Sequence, residues 1–170
     1  MIDLDAHLKT AMKAKDPVAV TAYRSLKSKV LLKLSEAGRP QGKELTEEEF
    51  AAGRAAAQKA AALGASTARE RDYIAAIGAY YQGDGVAHPA RVAAYEKAMA
   101  GVAERNRADD EAAIFHALSI LGVAYNSPPD KTYARQKEAA KILNRLLAVE
   151  PDHPGIAHYM IHSFDYPELA

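Results

Sequence analysis

Cysteine is absent from the 170 residues, and so is tryptophan. Without cysteine there is no disulfide, no thiolate nucleophile and no zinc–thiolate site. Phenylalanine is held to three residues, so the nine tyrosines supply most of the aromatic surface. No stretch of Val, Ile, Thr and aromatics alternates with period two for long enough to read as a strand. No apolar run approaches the roughly 20 residues of a membrane helix, which predicts no membrane partner. Met1-Ile2-Asp3-Leu4-Asp5 shows neither a basic segment nor an apolar one behind it, so no signal peptide is expected and a cytoplasmic location follows. Net formal charge is also lacking, with 22 basic residues against 22 acidic ones.

What is present is a regular series of helix starts. Thr46, Thr67, His88, Asp109, Asp130 and Asp152 stand 21, 21, 21, 21 and 22 residues apart. Thr46 and Thr67 each have a glutamate three positions later, the pattern of a capping box. His88 precedes Pro89, which suits the first helical position because its missing N–H would have no partner there. Asp109, Asp130 and Asp152 are good N-cap residues whose charge complements the helix dipole. Two such units make a hairpin of about 42 residues, a period typical of helical repeats. Alanine and strong helix formers fill the intervals. The reading is all-α.

Apolar stripes run through the intervals at helical spacing. They comprise Phe50, Ala57, Ala61 and Leu63; Tyr73, Ile74 and Ile77; Val92, Tyr95, Met99 and Val102; Ile114, Phe115, Leu118, Leu121 and Val123; Ile142, Leu143, Leu146 and Leu147; and Ile156, Tyr159, Met160 and Phe164. Small residues between them, such as Ala112, Ala113, Ala139 and Ala140, allow close helix approach. One hairpin cannot bury its own apolar face, so neighbours must stack. No polar capping helix follows the last stripe. Ile156, Met160 and Phe164 are therefore expected to be exposed on one side and to drive self-association.

The first 43 residues differ. They hold nine basic and four acidic residues, a charge of +5 against −5 for the remainder. Asp3 and the stripe Leu4, Leu8, Met12 predict one helix. Asp16-Pro17 starts a second, carrying Val20, Tyr23, Leu26, Val30, Leu31 and Leu34. Gly38-Arg39-Pro40-Gln41-Gly42 ends it and marks a boundary. Two domains follow, a basic helical hairpin over 1–43 and a helical-repeat domain over 44–170.

Two resemblances can be set beside this reading. Leu8-Lys9-Thr10-Ala11-Met12-Lys13-Ala14-Lys15-Asp16, Arg24-Ser25-Leu26-Lys27-Ser28 and Gly42-Lys43-Glu44-Leu45-Thr46-Glu47-Glu48-Glu49 resemble the start of YqeY-like proteins, relatives of the helical tail of the GatB subunit of tRNA-dependent amidotransferases. This implies an accessory factor for a carbon–nitrogen ligase, with Lys13, Lys27 and Lys33 meeting RNA phosphates. Gly64-Ala65-Ser66-Thr67-Ala68-Arg69-Glu70-Arg71-Asp72-Tyr73-Ile74, Ala94-Tyr95-Glu96-Lys97-Ala98-Met99 and Asp152-His153-Pro154-Gly155-Ile156-Ala157-His158 resemble a bacterial subgroup of tetratricopeptide-repeat proteins. This second resemblance spans about residues 48–170. It implies antiparallel hairpins wound into a right-handed superhelix, with a concave groove for a peptide. The units here are longer than the roughly 34 residues of the standard repeat, and Ala108 stands where a turn proline is expected. The meeting of two families near residues 40–50 predicts a fused or truncated product.

Candidate sites are few. Tyr80, Tyr81, Tyr125 and Tyr133 are groove candidates, because tyrosine brings large contact area at low entropic cost. Tyr73, Tyr95 and Tyr159 lie on core stripes and are expected to pack. His158 and His162 are spaced i, i+4, and His153 lies just ahead of them. Together they are a candidate metal site, although the glutamate of a His-Glu-x-x-His hydrolase is replaced by Tyr159. The alternative is that these histidines serve neighbouring helices. No Ser-His-Asp or Cys-His arrangement suggests itself, and Gly83-Asp84-Gly85 lacks the lysine and preceding strand of a phosphate loop. The sequence therefore predicts a non-catalytic scaffold for a protein or peptide ligand, without cofactor. The alternative is the tRNA-binding amidation factor.

Overall fold

The structure is a computed structural model that describes residues 45–166, 168 and 169. The basic hairpin, the boundary at 38–42 and Lys13, Lys27 and Lys33 lie outside the described residues. Among the described residues there are six helices and no strand: α1 (Glu47–Leu63), α2 (Ala68–Tyr80), α3 (His88–Arg105), α4 (Asp110–Tyr125), α5 (Ala134–Leu147) and α6 (Pro154–Phe164). The chain divides into two compact units, Met1–Ala65 and Ser66–Ala170. The division falls after α1, so the helix expected to open the repeat array lies in a different unit from the other five.

In the first unit, α1 starts with the reciprocal bonds of a capping box. The Thr46 hydroxyl accepts from the Glu49 amide at 3.2 Å, and the Glu49 carboxylate accepts from the Thr46 amide at 2.9 Å. Glu47, Glu48 and Glu49 in the first turn complement the dipole. Gly64 ends the helix at φ +70°, a conformation that a side chain would strain.

The second unit is built from neighbours in sequence. α2 packs on α3, α3 on α4, α4 on α5 and α5 on α6, and α6 also reaches back to α4. Contact with the next helix but one is what stacked hairpins produce. Two apolar clusters result. Ala76, Met99, Val102 and Ala112 form one, with Tyr73, Tyr95 and Phe115 packed against it. Ile114, Ala117, Ile120, Leu121, Ala139, Leu143, Leu146 and Ile156 form the other, joined by Ile142, Tyr159 and Met160. The helix α4 supplies both and has seven buried residues spread around it, so it is a central helix and not a one-sided one. Tyr73, Tyr95 and Tyr159 pack as their periodicity suggests.

Four of the expected helix starts are modified by their surroundings. The α3 N-cap is Ala87, which puts His88 first and Pro89 second in the helix. Asp109 is the N-cap of α4, but its side chain makes no capping bond because Arg69 and Tyr73 of α2 occupy it. Asp130 lies four residues ahead of α5. Its carboxylate accepts from the Thr132 amide at 2.8 Å and the Ala134 amide at 3.3 Å, closing a local turn. The α5 N-cap is Tyr133, the one described non-glycine residue at positive φ (53°). For α6 the cap is His153, not Asp152, with Nδ1 accepting from the Gly155 amide at 3.2 Å.

Side-chain register also departs from expectation at two places. Ala76 turns inward on α2 and leaves Ile77 exposed. On α6, Ile156 is fully buried and Met160 packs against the second cluster, whereas Ile161 is 64% exposed. The expected outward stripe of Ile156, Met160 and Phe164 thus keeps only Phe164 exposed. The reason is that α6 is covered by both α4 and α5. Met160→Glu is accordingly expected to destabilise the fold by about 1–2 kcal/mol, by pressing a carboxylate against apolar neighbours. Ile161→Glu is expected to stay within about 0.5 kcal/mol of wild type. Urea unfolding of the two variants checks this, and equal losses would mean that α6 does not pack as described.

Candidate binding surface and histidine pair

The four tyrosines singled out by sequence separate into two clusters. The first closes the turn between α2 and α3. The Tyr80 ring meets Tyr81 edge-on at 5.0 Å and His88 at 6.1 Å between centroids. The Arg91 guanidinium lies 5.6 Å from the Tyr80 ring centre and donates to the Val86 carbonyl at 2.6 Å. Gly83 permits the turn at φ +77°, where an added Cβ would meet Val86 at 2.6 Å. Burial pushes the Tyr81 phenol above its ordinary pKa, helped by Tyr80. These contacts make Tyr80 and Tyr81 parts of a turn clamp.

The second cluster joins the end of α4, the start of α5 and the segment after α6. The rings of Tyr133 and Tyr166 lie 5.0 Å apart, and the Tyr133 hydroxyl donates to Glu168 Oε2 at 2.6 Å. That bond holds the Tyr133 phenol above its ordinary pKa and the Glu168 carboxyl below its own. Tyr125 joins through Tyr166: burial, then the neighbouring Tyr166 with its hydrogen bond, raises the Tyr125 pKa. Its side chain nevertheless stays 59% exposed. Tyr166 was not singled out by sequence, since no local pattern links residue 166 to residues 125 and 133.

Polar bridges tie α2 to its neighbours at the opposite helix ends from these clusters. Arg69 holds Asp109 with two nitrogens, Nη2 at 3.1 Å from Oδ1 and Nε on Oδ2, and the Tyr73 hydroxyl adds a bond at 3.3 Å. Burial first, and then the Asp109 charge, raises the Tyr73 pKa. Arg105 Nη2 lies 2.8 Å from Asp72 Oδ1, and Asn106 donates to Asp72 at 3.0 Å. The Arg105 and Asn106 bonds hold the Asp72 carboxyl below its ordinary pKa. A depressed folded pKa gives stability that is present above the unfolded value and lost as pH falls through the folded one.

The three candidate metal-binding histidines also separate. His153 Nε2 lies 3.2 Å from Glu111 Oε1 at the start of α4, and its Nδ1 caps α6. His158 and His162 are together, with their Nε2 atoms 3.1 Å apart. His116 is turned toward Glu96 at 3.4 Å. Among the described residues, no group of three or more His, Asp or Glu side chains could hold a metal ion. Among them too, no helix is long and apolar enough to cross a membrane. No protein-family model, no curated protein and no solved structure matches the chain.

Proposed function

We propose that the chain is a non-catalytic scaffold of tetratricopeptide-like hairpins, wound as a right-handed superhelix, that binds a protein or peptide segment through tyrosine. The observation that carries this reading is Tyr125, which stays largely exposed although it is hydrogen-bonded to Tyr166, whose ring in turn meets Tyr133. Clustered rings that are already ordered lose little side-chain entropy when a ligand covers them, and their hydroxyls supply directed hydrogen bonds. The left-handed backbone of Tyr133 adds support, because a non-glycine residue in that region persists only where its surroundings hold it. His116 and His153 meet glutamates on neighbouring helices and so help to tie those helices together.

Selection from a displayed library of random peptides supplies a defined probe. In two-dimensional NMR, an isolated peptide is expected to shift the signals of Tyr125, Tyr133 and Tyr166 more than those of Tyr80 and Tyr81. Shifts confined to the Tyr80–Tyr81 turn would move the binding surface elsewhere. No selectable peptide, with strong binding of tRNA instead, would favour the amidation-factor reading.

A further inference from the structure

Residues four apart on a helix lie one above the other, so His158 and His162 share a face of α6. Their Nε2 atoms converge to 3.1 Å, with ring centroids 4.7 Å apart and ring planes at 83°. Tyr159 supports the first ring edge-on at 5.4 Å and is itself packed against the core. The His158 ring is therefore backed by a half-buried neighbour.

The spacing suits more than one kind of bond. With one ring donating, it is an N–H···N hydrogen bond. It is also the separation imposed by one metal ion. Two metal–nitrogen bonds of about 2.05 Å put the nitrogens roughly 2.9 Å apart at a right angle and roughly 3.3 Å apart at the tetrahedral angle. The observed distance lies between these limits. Neutral imidazole suits zinc, nickel and copper, and disfavours magnesium and calcium, which prefer oxygen.

We propose that His158 and His162 form a two-point clamp for one late first-row divalent cation, with water filling its other positions. His153 takes no part, because Glu111 and the Gly155 amide engage its two nitrogens. Binding puts the ring proton of each imidazole on Nδ1 and turns both Nε2 lone pairs to the ion. A pair already placed by the helix makes the second bond intramolecular, so each imidazole strengthens the other. An ion held only by the folded helix also stabilises the fold. His158 lies two turns before Tyr166 and is not part of the tyrosine cluster, so His158→Gln is expected to keep peptide binding.

The test is calorimetric titration of the tag-free full chain with NiCl2 and ZnCl2, with MgCl2 as comparison. Thermal unfolding is then followed with each ion and after adding a chelator. One nickel or zinc site per chain is expected, raising Tm reversibly, with no response to magnesium. His158→Gln and His162→Gln are each expected to weaken it about 100-fold, with the helical circular dichroism unchanged. His153→Gln is expected to bind as wild type. Undiminished binding in either clamp variant would overturn the proposal, as would equal weakening in His153→Gln or no site for nickel or zinc.

Discussion

Leu143→Ala is expected to destabilise the second unit by about 3 kcal/mol. Leu143 is fully buried in the cluster that unites α4, α5 and α6. Truncation removes the transfer energy of its missing carbons and leaves a cavity that Ile114, Ile120 and Leu121 can fill only in part. A loss of this size is a large share of the roughly 5–15 kcal/mol that holds a domain folded. With a slope of about 1.5 kcal/mol/M, the urea midpoint would fall by about 2 M while the slope stayed constant. Val149→Ala, in an exposed position, should stay within about 0.5 kcal/mol. A wild-type midpoint for Leu143→Ala would mean that the three helices do not share this core.

Ala139→Leu tests the same packing from the opposite direction. Ala139 is fully buried in that cluster, one turn before Leu143 on α5. Added carbons there must push neighbouring helices apart or force poor rotamers, at a cost of about 1–3 kcal/mol. Ala157→Leu is the comparison, since Ala157 is exposed on α6, and its effect should be within about 0.5 kcal/mol. The double variant Ala139→Leu/Leu143→Ala should lose less than the sum of the single losses, because new volume is offered beside new space. A coupling of about 0.5–3 kcal/mol is the range for residues that share a cavity. Strict additivity would place the two side chains in separate environments.

These expectations rest on features that were unevenly legible in the sequence. The Thr46 and Thr67 capping boxes were readable because donor and acceptor lie within three residues of each other. The all-helical class was readable because stripes and caps point to the same answer. Asp109 was readable as a helix start but not as the acceptor for Arg69, which stands 40 residues earlier. Asp130 is a good cap by type, yet the Thr132 hydroxyl and amide offer its carboxylate a closer local turn. The inward register of Met160 depends on cover from two helices, which the α6 sequence does not contain. The histidine pair was visible as a spacing, and only the fold shows that His153 goes to Glu111. The second tyrosine cluster was half visible, since Tyr125 and Tyr133 gain Tyr166 only through the chain's path after α6.

The most direct test is the affinity of one display-selected peptide for wild type and Tyr125→Ala, measured at low and high salt beside tRNA. Truncating a central aromatic anchor costs about 2 kcal/mol or more, roughly a 30-fold loss. The scaffold account predicts that loss in Tyr125→Ala, little salt dependence for the peptide and only weak tRNA binding. An unchanged peptide affinity in Tyr125→Ala would contradict it. So would tight tRNA binding that falls roughly 100-fold or more per tenfold rise in salt and is lost when Lys13, Lys27 and Lys33 become Gln.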